Sequence, residues 1–196
     1  MSTTNRPRMV GEREQQVFGA ALAILVESGY DRLTLDAVAA RAHASKATLY
    51  RRWSSKAELI VEAFASQEPD EPNSIDTGTL RGDLEEISRR KQGAFDPLQA
   101  QMIGALVTAI SRDETLAATF RERFLTPRIC AGRAIFERAR ERGEIAADVD
   151  LDLLVSVLPA LMLYHCTVSG LCGPTDALAR RIVEQIVLPA AGHHCG

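Results

Sequence analysis

Three helix-start residues follow one another at short intervals in this chain: Thr34, Ser45 and the pair Ser54-Ser55. A side-chain oxygen at such a position accepts a hydrogen bond from the freed N–H groups of a first turn, so each marks where a helix begins. At about 3.6 residues per turn, the intervals leave room for only two or three turns between one start and the next. Helices that short are stable only when neighbours brace them. The apolar residues agree with this reading. Leu35, Val38 and Ala39 share one face of a helix running from Thr34 to Ala42, and Leu49 and Trp53 share one face of a helix over 46–53. Leu59, Ile60, Ala63 and Phe64 supply the apolar face of a fourth helix. Upstream, Val17, Ala21, Ile24 and Leu25 fit a first helix from about Glu12 to Ser28, which Gly29 ends.

The remainder predicts an all-α protein. Alternating strand patterns are nearly absent, and Ala, Leu, Glu and Arg fill most segments. The stretch from Gln67 to Gly78, broken by Pro69 and Pro72, is the expected boundary. It divides an N-terminal domain, 1–66 with an arm over 1–10, from a C-terminal helical bundle, 67–196. Helices are expected near 79–94, 98–111, 114–142, 150–170 and 175–190, with Pro127 kinking or splitting the third of these. With 196 residues, of which 46% are hydrophobic, the chain can bury a core without a disulfide or a metal. Cys130, Cys166, Cys172 and Cys195 lack zinc-site spacing and read as free thiols in a reducing cytoplasm. The terminal His193-His194-Cys195 converges poorly for a metal, so neither a metal nor a cofactor is expected. No signal peptide is visible at the N-terminus. The uncharged run Leu153 to Thr175 is diluted by Pro159, His165 and Gly170 and flanked by acids, which argues for a buried helix over a membrane span.

Charge singles out one region. The whole chain carries a formal charge of −3. Between Arg32 and Lys56, however, stand Arg32, Arg41, Lys46, Arg51, Arg52 and Lys56, with Asp36 the only acid. The two short helices joined by His43, Ala44 and Ser45 form a helix-turn-helix. With Leu49 and Trp53 anchored inward, Lys46, Ala47, Tyr50 and Arg51 point away. Such a face suits a DNA major groove, where cations meet phosphates and Lys46 and Arg51 reach base edges. The helix starts at Thr34, Ser45 and Ser54-Ser55 add N–H groups for phosphate oxygens, and Lys56 is placed to clamp a further phosphate.

At these residues the chain resembles the TetR family of bacterial transcriptional regulators. The run Thr34-Leu35-Asp36-Ala37-Val38-Ala39, followed by the stretch from Ala42 through Tyr50 to Leu59, carries the likeness, with Ser28-Gly29-Tyr30 before it. The resemblance covers about residues 12–64. It implies an all-helical homodimer with one helix-turn-helix per subunit and a C-terminal domain that dimerises and senses a small ligand. Carried over by position, Thr34, Ser45, Lys46, Thr48, Tyr50, Arg51, Arg52 and Lys56 stand where family members touch DNA, and Ala47 lies on the same face. Three residues depart from the family pattern. His43 replaces a frequent turn glycine, which predicts a left-handed histidine. Ala47 replaces a frequent glycine, and Trp53 a usual phenylalanine.

The second domain is larger than reading a half-site requires. Its apolar helices over about 150–190, with Ile182, Val183, Ile186 and Val187 on one face, are the expected homodimer interface. A pocket for a hydrophobic or amphipathic effector is expected among Phe95, Met102, Leu106, Phe120 and Phe124, together with Met162, Tyr164 and His165. Catalytic signatures are missing: no G-x-S-x-G, G-x-G-x-x-G, phosphate-loop or H-E-x-x-H motif occurs. Asp83, Glu85 and Glu86, with Arg81, Arg89 and Arg90 nearby, read as a salt-bridged surface. The expected function is a ligand-responsive repressor of a palindromic operator. The alternatives are an activator of the same fold, and a helical interaction protein that binds DNA without sequence preference.

Overall fold

The computed structural model describes residues 6–67, 75–90, 97–169 and 175–192, without the side chains of 6–10, 97, 166, 175 and 176. All regular structure among these residues is helical. α1 spans Arg6–Ser28, starting upstream of the expected Glu12. Pro7 explains the earlier start, because its missing N–H costs nothing in a first turn. Gly29 ends α1 at φ 78° and leads into a 3₁₀ turn over Tyr30–Arg32. Next come α2 (Leu35–Arg41), α3 (Lys46–Arg52) and α4 (Lys56–Ala65). α5 (Leu80–Arg90), α6 (Pro97–Ile110) and α7 (Glu114–Phe120) follow. A π-turn over Arg121–Leu125 joins α7 to α8 (Thr126–Glu141), and α9 covers Leu151–Thr167. The chain closes with α10 (Thr175–Ile182), a second π-turn over Val183–Val187, and α11 (Leu188–Ala190). None of the described helices is long and apolar enough to cross a membrane.

Two compact units result: Met1–Glu68 with Gln101–Phe124, and Pro69–Ala100 with Leu125–Gly196. In the first, Phe18, Leu25, Leu49, Trp53, Leu59 and Ile60 form one core with Leu106 and Leu116. Phe64 of α4 meets Phe120 and Phe124 edge-on at 6.1 and 5.1 Å, and those two rings stack at 4.8 Å. Such ring pairs add about 0.5–1.5 kcal/mol each beyond the area they bury. α7 therefore seats its aromatic end on the helix that follows the helix-turn-helix.

The second unit packs α5, α8, α9 and α10 around Leu84, Ile135, Phe136, Leu154, Ile182 and Val183. Gly132 is the point of closest approach: a Cβ there would lie 2.8 Å from Val155 Cγ2, so α9 packs directly on the α8 backbone. One expectation fails here. Asp83 is not on a salt-bridged surface but fully buried. Its carboxylate accepts from the Thr77 N–H at 2.6 Å and the Thr77 hydroxyl at 2.8 Å, and faces Arg142 at 3.5 Å. Buried carboxylates persist only when satisfied in this way. Glu86, with Arg89 and Arg90 at 2.7 and 2.9 Å, does make the expected surface pairs.

Each π-turn stands immediately ahead of a proline. Pro127 and Pro189 both occupy the first turn of the α-segment that follows. Proline lacks the N–H of the i→i−4 ladder and its ring presses on the preceding turn, and a wider turn relieves both. Pro127 thus splits the expected 114–142 helix without ending it. The expected homodimer face of the last helix is corrected: Ile182, Val183 and Val187 pack into the core of their own unit, and the second π-turn leaves only Ile186 of the four outside. Ile182, Val183, Val187 and Leu188 are buried, while Ile186 is 42% exposed. The extra residue in the turn shifts the stripe by one position.

Candidate nucleic-acid interface

The helix-turn-helix is assembled from local signals that the structure largely honours. The Thr34 hydroxyl accepts from the Ala37 N–H at 3.1 Å and caps α2. Ser55 caps α4, accepting from the Glu58 N–H at 3.1 Å. Glu58 reaches back to the Ser54 N–H at 2.7 Å and the Ser54 hydroxyl at 2.6 Å, closing a box of reciprocal bonds around the α3–α4 junction. Ser45 occupies the N-cap position of α3, but its hydroxyl makes no capping bond. In the turn, His43 takes φ 50°, the left-handed conformation expected of it.

α3 has a fixed underside and an open face. Leu49 and Trp53 are buried. The Trp53 ring lies edge-on to Phe18 at 5.9 Å and its N–H donates to Glu62. Opposite them, Lys46, Ala47, Thr48, Tyr50 and Arg51 are all exposed. Side chains three and four apart on a helix lie on one surface, so Ala47 and Arg51 stand farthest from the core, flanked by Lys46, Thr48 and Tyr50. Arg51 has no ion pair or side-chain hydrogen bond among the described residues.

The cations around it are engaged. Lys46 Nζ pairs with Asp36 of α2 at 2.7 Å. That ammonium, hydrogen-bonded to it, holds the Asp36 carboxyl below its ordinary range. Arg52 turns away from the open face. It pairs with Glu14 of α1 and, at 3.3 Å, with Glu62 of α4, and its guanidinium lies 5.4 Å from the Trp53 ring centre. Lys56 is also drawn inward: Nζ donates to the Tyr30 carbonyl at 2.9 Å and sits 4.1 Å over the Tyr30 ring. One donor of the ammonium is thereby used and two are left. Arg52 and Lys56, expected on the DNA surface, serve first as clasps of the fold. Glu14, Glu62 and Tyr30, which hold them, carry no local sequence signal because they lie far along the chain. Glu58 is a further residue that the sequence did not single out. It pairs with Arg123 in the first π-turn, linking the α4 cap to the segment that carries Phe124.

The residues expected to line one effector pocket are divided between the two units. Met102, Leu106, Phe120 and Phe124 belong to the core of the first. In the second, Met162 packs against the core while Tyr164 is 52% exposed. His165, on the same helix, faces the Tyr164 ring at 5.5 Å and Ser169 at 3.3 Å. Phe95 lies outside the described residues, as do His193, His194 and Cys195. Cys130 is free and exposed, and no cluster of metal-ligating side chains occurs among the described residues.

Residues 18–63 match the family described as bacterial regulatory proteins of the tetR family. Residues 74–186 match the tetracyclin repressor-like C-terminal domain. The chain belongs to the TetR family. A relative from Mycobacteroides abscessus, the DNA-binding transcriptional repressor TetR, is 38% identical over 180 residues, covering 90% of this chain and 92% of its own. Among solved structures, the TetR family transcription regulator SCO0332 is 25% identical and superposes with a TM-score of 0.62, over 94% of this chain and all of its own. The fatty acid degradation regulator FadR from Bacillus halodurans shares the fold, with a TM-score of 0.69 at 18% identity, over 93% of this chain and 97% of its own. TetR-family members are DNA-binding transcriptional regulators and not enzymes, and they typically dimerise. The helix-turn-helix built above is the family's DNA-reading element.

Proposed function

We propose that this TetR-family regulator is a cytoplasmic repressor that binds an inverted-repeat operator as a homodimer and is released by a hydrophobic or amphipathic effector. The observation that carries the reading is the state of α3. Its underside is buried through Leu49 and Trp53, while Arg51 stands on the open face without a partner among the described residues. An exposed guanidinium on a rigid helix is preorganised for bidentate bonds to a guanine edge. Lys46, expected at a base edge, is read here as a phosphate contact because its ammonium leans toward α2 and holds an anion, Asp36. Thr48 and Tyr50 flank Arg51, and Thr34 and Ser45 mark helix starts beside them.

In this reading residues 1–66 read DNA, and 67–196 supply dimerisation and effector binding. The dimer surface runs along α9 and the 175–190 segment, where Leu153, Leu163, Tyr164, Val168 and Ile186 are exposed apolar side chains. A second copy is the economical cover for them. An effector that reaches Met102, Leu106, Phe120 and Phe124 acts on Phe64 of α4 and so on the reading head. It shifts the balance only by binding the released conformation more tightly. Repression, and not activation, follows the 38% identical relative, whose name makes it a repressor.

Selection of bound duplexes from a randomised pool tests the proposal. An inverted repeat is the expected result, and unpatterned binding would put a sequence-independent interaction protein in its place. Arg51→Ala should then relax preference at one position of each half-site, at a cost of about 1–3 kcal/mol. An unchanged base profile would leave Arg51 as a backbone contact.

A further inference from the structure

Asp36 is the one acid in a stretch of six bases between Arg32 and Lys56. It stands in the first turn of α2, yet its carboxylate does not cap that helix; Thr34 does. Instead it reaches across to α3 and pairs with Lys46 at 2.7 Å. Lys46 stands on the exposed side of α3 next to Arg51's face, and the partner its ammonium holds is an anion.

Resting on the DNA-reading role proposed above, we infer that Asp36 is a specificity-determining residue: its carboxylate occupies Lys46 as an internal stand-in for a DNA phosphate, and so penalises weak, sequence-independent binding. A duplex must displace that carboxylate before Lys46 can neutralise a phosphate, and it must then tolerate a like charge nearby. Both partners are about half exposed, with side-chain exposures of 63% for Lys46 and 48% for Asp36. The exchange is therefore inexpensive, as it is for surface ion pairs generally. Base-edge bonds at a preferred site can offset it. On a random sequence nothing does.

The test compares the wild-type protein, D36N, D36E, K46Q and the D36N/K46Q double variant on a short random-sequence duplex across a salt series. D36N should bind about threefold to fivefold more tightly at low salt. Its slope of log affinity against log salt should steepen by about 0.9, the release of one more counterion by a freed Lys46. D36E keeps the charge and should behave as wild type, and in the K46Q background D36N should leave the slope unchanged. A D36N slope equal to wild type, or a steepening that survives in the K46Q background, overturns the inference and leaves the DNA-reading role standing. Absence of salt-sensitive binding by every variant and by the wild type removes both.

Discussion

His43 shows what one side chain costs and why the cost is borne. At φ 50° it is the only described non-glycine residue with a positive φ, a region that strains any residue with a Cβ. His43→Gly should therefore raise unfolding stability by about 0.5–1 kcal/mol, net of the greater freedom glycine regains when unfolded. Urea denaturation measures it, and a loss of stability would show that the imidazole contributes more than the strain removes. This conformation was legible through the family resemblance, because a histidine stands where the family's turn often has glycine. The buried roles of Leu49 and Trp53 were legible too, being set by a spacing of four. Arg52 and Lys56 were not. Helical position alone places both on the basic patch, but their partners Glu14, Glu62 and Tyr30 approach only once α1 and α4 have folded against α3. An ion pair between distant residues leaves no local signature.

The three helix starts make a graded comparison at the level of elements. Thr34 and Ser55 accept capping bonds and Ser45 does not. Thr34→Ala and Ser55→Ala should each cost about 1 kcal/mol of stability, whereas Ser45→Ala should cost only a few tenths. Thermal melts of the three variants check the ranking, and an equal loss at Ser45 would mean that its hydroxyl caps α3 after all. Element existence was readable because caps, apolar spacing and glycine or proline stops agreed with one another. The π-turns were not readable. An α-helical period puts Ile186 on the same face as Ile182 and Val183, and only the widened turn before Pro189 moves Val187 and Leu188 into its place. A period carries no sign that it will slip by a residue, although a proline inside an otherwise continuous apolar helix is a reason to look for one.

For the whole molecule, folding and association draw on the same limited stock of apolar side chains. Large exposed ones recur along α9, with Ile186 beside them in the sequence of the last helix. The second π-turn decides on which side of that division Ile186 falls. Deleting the exposed Gln185 would return Val183–Val187 to ordinary α-helical winding, and the remaining residues would again space an apolar stripe at three and four. The shortened chain should keep its helix content and cooperative unfolding, with Val187 and Leu188 still in register with Ile182 and Val183 and Ile186 still outward, and light scattering should report unchanged self-association. An insoluble or unfolded product would mean that Pro189 needs the wider turn. One surplus residue in a helix thus acts as an expansion joint: it lets a single segment divide its apolar side chains between the protein's own interior and its outer surface, where the proposed second copy would lie.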